Sequence, residues 1–66
     1  MHTGTVSWFN DSKGLGAIHA EGGLEVYVHF SAIRENGIRT LAQGDEVRFE
    51  IRETVHGLQA ANVVRN

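Results

Sequence analysis

The chain has 66 residues, with 6 Lys plus Arg, 8 Asp plus Glu, 4 His, no Cys and a formal net charge of −2. That length allows one domain, 1–66, which buries only about 60% of its unfolded surface and should be marginally stable. A disulfide framework and a thiolate zinc site are excluded, no apolar run approaches about 18 residues, no basic stretch leads into an apolar one, and a soluble, cytoplasmic setting is expected.

The first strand is expected over about Thr3–Asn10, "TGTVSWFN", where threonine, valine and two aromatics favour extended backbone. Trp8 and Phe9 are adjacent, so in a regular strand their rings point to opposite faces. "DSKG", Asp11–Gly14, is turn chemistry, and "LGAIH" is a second short strand. "AEGG" turns the chain again into "LEVYVHF", the third strand. Its alternation is clean: Leu24, Val26 and Val28 share one face, and Glu25, Tyr27 and His29 share the other.

Ser31–Asp45 is a long connection holding no helix longer than about one turn. Ser31 is the candidate cap of that turn, with Arg34 and Glu35 following and Asn36–Gly37 ending it. Ile33 and Leu41 are expected to tuck under the sheet edge. "EVRFEIRE", Glu46–Glu53, carries the strongest strand signal. Val47, Phe49 and Ile51 form its core face, and Glu46, Arg48, Glu50 and Arg52 its solvated face with cross-strand charge pairs. His56–Gly57 lies in a turn, and "LQAANVV" is the fifth strand, with a bulge expected around Ala60–Ala61. Short strands with no intervening helix, in a chain of this size, predict an all-β fold: a five-stranded antiparallel barrel, which removes most exposed edges.

The third strand raises the functional question. It sets Tyr27 and His29 on the face opposite Val26 and Val28, with Phe30 beside them. Exposed rings offer stacking surface to flat, apolar groups such as nucleic-acid bases, at roughly 1–3 kcal/mol per base. Lys13, the sole lysine, stands at the mouth of the neighbouring turn, where it can meet a phosphate. Gly14 and Gly16 allow a tight turn or the close approach of a ligand. The net charge of −2 means that bulk attraction is not what would hold a polyanion. Duplex is a poor fit, because there is no recognition helix and no basic stripe. Plainer readings exist: Trp8 or Phe30 as a core residue, His29 as a surface histidine, the glycines as turn formers only.

Other chemistry finds no support. His2, His19, His29 and His56 show no H-x-x-H or H-E-x-x-H spacing, so no metal is expected. "KGLG" lacks the length and the Lys-Ser/Thr ending of a phosphate-binding loop. No nucleophile–base pair is visible by spacing, so the expectation is no enzyme and no cofactor.

In order and spacing together, "GTVSWFNDSKGLGAI", "VYVHFSAI" and "GIRTLAQGDEVRFEI … GLQAANV" closely resemble the bacterial cold-shock proteins over essentially the whole chain. The ribonucleoprotein-like motifs fall at Lys13–Ile18 and Val26–Phe30. The resemblance implies a barrel of the oligonucleotide/oligosaccharide-binding type, a single-stranded RNA or DNA partner, and an RNA-chaperone or cold-shock regulatory role without ATP. A monomer is expected ahead of a dimer. Carried onto this chain, the family's binding face comprises Ser7, Trp8, Lys13, Leu15, Ala17, Tyr27, His29, Phe30 and Ile38. Arg39, in the long connection, is a further candidate for a phosphate. The chain departs from the family in having Ser7 for a lysine, Leu15, Ala17 and Ile38 for aromatics, Tyr27 for phenylalanine and Leu58 for proline. Weaker binding than in a relative with all its rings is therefore expected. The alternative is a barrel retargeted to protein contacts or self-association, using the apolar patch that Leu15 and Ile38 leave without ring faces.

Overall fold

The computed structural model describes residues 1–35, 37 and 39–66. Strands β1 (His2–Asn10), β2 (Leu15–Ala20), β3 (Glu25–His29), β4 (Glu46–Thr54) and β5 (Gly57–Arg65) close into one barrel in the order β1-β2-β3-β5-β4. The expected five-stranded barrel is present, but its pairing is not wholly antiparallel. β3 and β5 run parallel and meet where Tyr27 faces Gln59. The reason is parity: an odd number of strands cannot alternate direction all the way round a closed ring, so one seam must be parallel. Two 3₁₀ turns, Glu21–Gly23 and Phe30–Ala32, connect strands.

Alternating valines and isoleucines aim inward and build the core. Phe49, Ile18, Ile33, Val6, Val26, Val47 and Val63 are all essentially buried, and Val28 and Leu41 join them. Ile33 and Leu41 thus lie inside, as expected from the sequence. Ile33 is held by a bridge to Val63, and the Arg34 amide donates to the Val63 carbonyl at 2.8 Å. Phe9, Ile51 and Leu58 pack against this cluster from its margins.

Four local expectations are corrected. Leu24 does not share the core with Val26 and Val28: it precedes β3 and is 45% exposed. It closes the β2–β3 hairpin through its carbonyl, which accepts from the Ala20 amide at 2.8 Å. The β5 bulge lies beyond Ala60–Ala61. Glu50 pairs with Ala61 but Arg48 pairs with Val64, so Phe49 alone spans Asn62 and Val63. Asn62 takes the left-handed conformation there, with φ 53°, as asparagine does more readily than most residues. The cap of the Phe30–Ala32 turn is His29, not Ser31: the Ser31 amide donates to His29 Nδ1 at 3.2 Å. Arg34 and Glu35 lie outside that turn, and Asn36 lies outside the described residues. On β4 the charge pair runs along the strand, Arg52 to Glu50 at 3.6 Å, with both side chains mostly solvated. The cross-strand partner of Glu50 is the Asn62 amide, at 2.8 Å.

β1 carries a second irregularity. Val6 pairs with Ile18 and Trp8 pairs with Ala17, leaving Ser7 as an extra residue. The bulge changes the phase of the strand. Val6 and Phe9 both turn inward although they are three apart, and Trp8 is turned out.

Candidate nucleic-acid interface

Directly paired residues on neighbouring strands share a face, so the register lays out the surface in rows. Trp8, Ala17 and Tyr27 form one outward row across β1, β2 and β3. Asn10, Leu15 and His29 form the next. Trp8 is 47% exposed and Tyr27 50% exposed, on the same side of the sheet. Leu15 is also exposed, between Asn10 and His29.

Ala17 is different. It lies on this outward row, yet it is only 1% exposed and is not part of the core cluster. The larger side chains of its register partners, Trp8 and Tyr27, flank it on both sides. The sequence reading gave Ala17 an apolar contact with ligand. With its surface already covered, Ala17 is a floor beneath two rings and has almost nothing left to offer.

Phe30 follows at the end of β3 and is 42% exposed. Its ring lies beside that of His29, with centroids 4.4 Å apart and planes tilted by 37°. Two local features set its position. His29 caps the 3₁₀ turn that begins with Phe30, and His29 Nδ1 lies 2.8 Å from Ser31 Oγ. Gly14, at φ +68°, accepts from the Phe30 amide at 2.9 Å, and a Cβ on it would sit 2.5 Å from Phe30 Cδ2. Glycine is needed there both for the backbone conformation and for the ring. Gly16 serves the inner face instead: a Cβ on it would meet Phe9 Cδ1 and the Trp8 carbonyl oxygen at 2.5 Å. Both glycines therefore shape the site from beneath.

Two depressions flank this arrangement. An open groove of about 560 Å³ lies over the parallel seam, lined by Trp8, Leu15, Tyr27, His29, His56 and Gln59 among others. A shallower cleft of about 420 Å³ contains Phe30 with Lys13, Arg39 and Asp11. The structure thus brings Lys13 and Arg39 together at Phe30. Neither forms an ion pair among the described residues, whereas Arg52 and Arg65 do. Asn10 fixes the turn that carries Lys13, its Oδ1 accepting from the Lys13 amide at 2.9 Å. Thr40 donates to the Asp11 carboxylate and ties the long connection to the same turn. Ile38 lies outside the described residues.

Neither His56 nor Gln59 was assigned to the interface from the sequence. Gln59 reaches the site because barrel closure sets it beside Tyr27, 32 positions away in the chain. His56 comes with it, at the β4–β5 turn. Nothing in the local sequence marks either one.

Among the described residues no helix is long and apolar enough to cross a membrane. Residues 2–66 match the family model described as the 'Cold-shock' DNA-binding domain. The chain is 56% identical over 66 residues to the cold shock-like protein CspD of Bacillus cereus, covering all of both. It is 54% identical over 65 residues to the cold shock protein CspB of Bacillus caldolyticus, covering 98% of each. Among solved structures, the Drosophila Unr CSD456 chain matches with a TM-score of 0.79 at 21% identity, over 98% of this chain and 26% of that one, a likeness of fold alone. With the family model and the whole-length relatives in agreement, the chain belongs to the cold-shock domain family, whose members bind nucleic acid and are not enzymes.

Proposed function

We propose that residues 1–66 act as one unit that binds single-stranded RNA or DNA with little sequence preference and holds RNA unpaired, as a chaperone working without ATP. One observation carries the reading. Of the five aromatic side chains (one Trp, one Tyr, three Phe), Trp8, Tyr27 and Phe30 are left about half exposed. A chain this short has little apolar material to spare for its core. Rings kept out of the core and grouped on one surface are best explained by a ligand that covers them.

The chemistry of a single strand fits that surface. Its bases stack on Trp8, Tyr27 and the His29–Phe30 pair, with little dependence on base identity. Leu15 adds apolar contact. Lys13 and Arg39 take phosphate oxygens beside Phe30. The partner is a single strand because its bases are free to stack, whereas those of a duplex are already stacked within it. The protein works as a cytoplasmic monomer.

The test compares labelled heptathymidine and heptauridine with a duplex of the same length, by fluorescence anisotropy. The single strands bind at least about tenfold more tightly than the duplex. Equal affinity for the duplex would mean recognition of the phosphate backbone alone. No binding to any of the three, with self-association in gel filtration, would favour a barrel retargeted to protein contacts.

A further inference from the structure

Away from the rings, the side chain of Arg65 gathers three points of the long connection between β3 and β4. Its Nε lies 3.3 Å from the Glu35 carboxylate and 3.4 Å from that of Asp45. Its Nη2 donates to the Thr40 carbonyl oxygen. Glu35, Thr40 and Asp45 stand near the start, middle and end of the connection, and one guanidinium at the end of β5 holds all three. The backbone fixes where that guanidinium is offered: Arg65 pairs with Val47 in the sheet, and the Asn66 amide donates to the Glu46 carbonyl at 3.0 Å.

The partners are tied in their turn. The Asp45 carboxylate accepts from the Ala42 amide at 2.9 Å, and the Asp45 amide donates to the Ala42 carbonyl at 3.0 Å, closing a tight turn. The Thr40 hydroxyl donates to Asp11 in the β1–β2 turn, so the contacts run from β5 through the connection to that turn.

An isolated ion pair at a surface contributes little. Here the balance differs, because Glu35 and Asp45 approach the same nitrogen and therefore each other, with side chains only 27% and 29% exposed. Among the described residues, Arg65 is the only cation in an ion pair with either. Arg34 and Arg39 line a cleft with Glu35, and Arg34 Nε donates instead to Asn62. Without the Arg65 charge, two largely covered carboxylates face one another and the Thr40 carbonyl loses its donor. That loss exceeds the worth of the pair itself.

We infer that Arg65 is a charge clasp that shuts the long connection on the barrel by holding the like charges of Glu35 and Asp45 together, and that ionic strength sets how firmly it closes. The clasp is independent of the single-strand reading. Screening acts over about 10 Å at 0.1 M salt and about 3 Å at 1 M, and the latter is comparable with the 3.3 and 3.4 Å contacts. Salt therefore loosens the clasp in the wild type. Where the cation is missing, salt instead relieves repulsion between the carboxylates and tightens the connection.

Amide hydrogen exchange tests this. The rates of the Ala42 and Asp45 amides are divided by that of the Ile18 amide in β2, so that global unfolding cancels. At low salt Arg65→Met raises the ratio about tenfold or more, while Arg65→Lys, which keeps the charge, stays within about threefold of wild type. Adding Glu35→Gln to Arg65→Met removes about half of the increase or more, because one of the two opposed charges is gone. Raising salt to about 1 M increases the ratio in the wild type and lowers it in Arg65→Met. An unchanged ratio in Arg65→Met, no recovery on adding Glu35→Gln, or a salt response of the same sign in both proteins would overturn the clasp. If Arg65→Met does not fold, folding regained with Glu35→Gln supports the clasp, and failure to regain it overturns it.

Discussion

Replacing Tyr27 with alanine separates the ring's role in binding from its role in stability. An aromatic side chain carries about 150–250 Å², and Tyr27 is 50% exposed, so its contact with the protein is about 100 Å². At about 25 cal/mol per Å² that contact is worth about 2.5 kcal/mol, or roughly 2 kcal/mol after allowing for the methyl group that alanine keeps. A domain of this size has about 3–5 kcal/mol from its core. Tyr27→Ala should therefore shift the urea midpoint downward yet leave at least about four-fifths of the molecules folded. Partial unfolding on that scale lowers apparent affinity by a factor of only about 1.3. Losing one stacked base costs about 1–3 kcal/mol, or about 5- to 150-fold in affinity. The two effects are thus far apart in size. The assay pairs urea unfolding with anisotropy titration of heptathymidine, and includes Tyr27→Phe, which keeps the ring and should bind within about twofold of wild type. The reasoning fails if the affinity loss in Tyr27→Ala is no larger than its unfolded fraction explains, or if Tyr27→Phe loses as much as the alanine variant.

Gly14→Ala places a Cβ 2.5 Å from Phe30 Cδ2 at a backbone φ of +68°. Stability should fall by about 1–2 kcal/mol from the left-handed backbone alone, and affinity should fall further than stability accounts for; wild-type stability by urea unfolding would contradict the account. The logarithm of the binding constant should fall with the logarithm of salt at a slope of about −1.4, from two phosphates met by Lys13 and Arg39 at about −0.7 each, whereas a slope near −4 would mean a phosphate-lined groove elsewhere. Ser7→Lys, at the β1 bulge, should steepen that slope by up to about 0.7. Leu15→Phe should tighten heptanucleotide binding by about fivefold or more, because Leu15 is exposed on the outward row between Asn10 and His29 and gains a π-face where there was none; Ala17→Phe should not add to it, because the space above Ala17 is already taken by Trp8 and Tyr27. Unchanged affinity in Leu15→Phe would mean that the ligand does not cross β2.

How much of this was legible depends on how local the cause was. β3 and β4 were readable because each buries one face, which forces the period-two pattern on the sequence. Leu24 misled for the same reason: its phase is correct, but it lies ahead of the strand, where no core stands opposite. The parallel seam was knowable in principle, since five strands cannot alternate around a closed ring. The β5 bulge was placed slightly early because the apolar spacing of the strand pointed to Ala60–Ala61, while Asn62, better suited to a left-handed backbone, stood next to them. At Ser7 the signal was the odd spacing of Val6 and Phe9, two inward residues three apart. The His29 cap was missed because serine is the commoner N-cap. Of the candidate site residues, Trp8, Leu15, Tyr27, His29 and Phe30 are gathered on or beside one surface, and Lys13 and Arg39 share the cleft at Phe30. His56 and Gln59 were illegible, because only the closure of the barrel brings them to Tyr27.

The central claim is that the outward rings of β1 and β3 stack the bases of a single strand. Trp8 is the sole tryptophan and stands in the row with Tyr27, so its emission reports on that surface alone. The decisive measurement is its fluorescence during titration with heptathymidine. Free protein should emit near the wavelength of solvent-exposed tryptophan, and the signal should be quenched saturably as the oligonucleotide covers the ring. A strongly blue-shifted emission, unchanged at saturating oligonucleotide, would contradict both the exposure of Trp8 and its role in stacking.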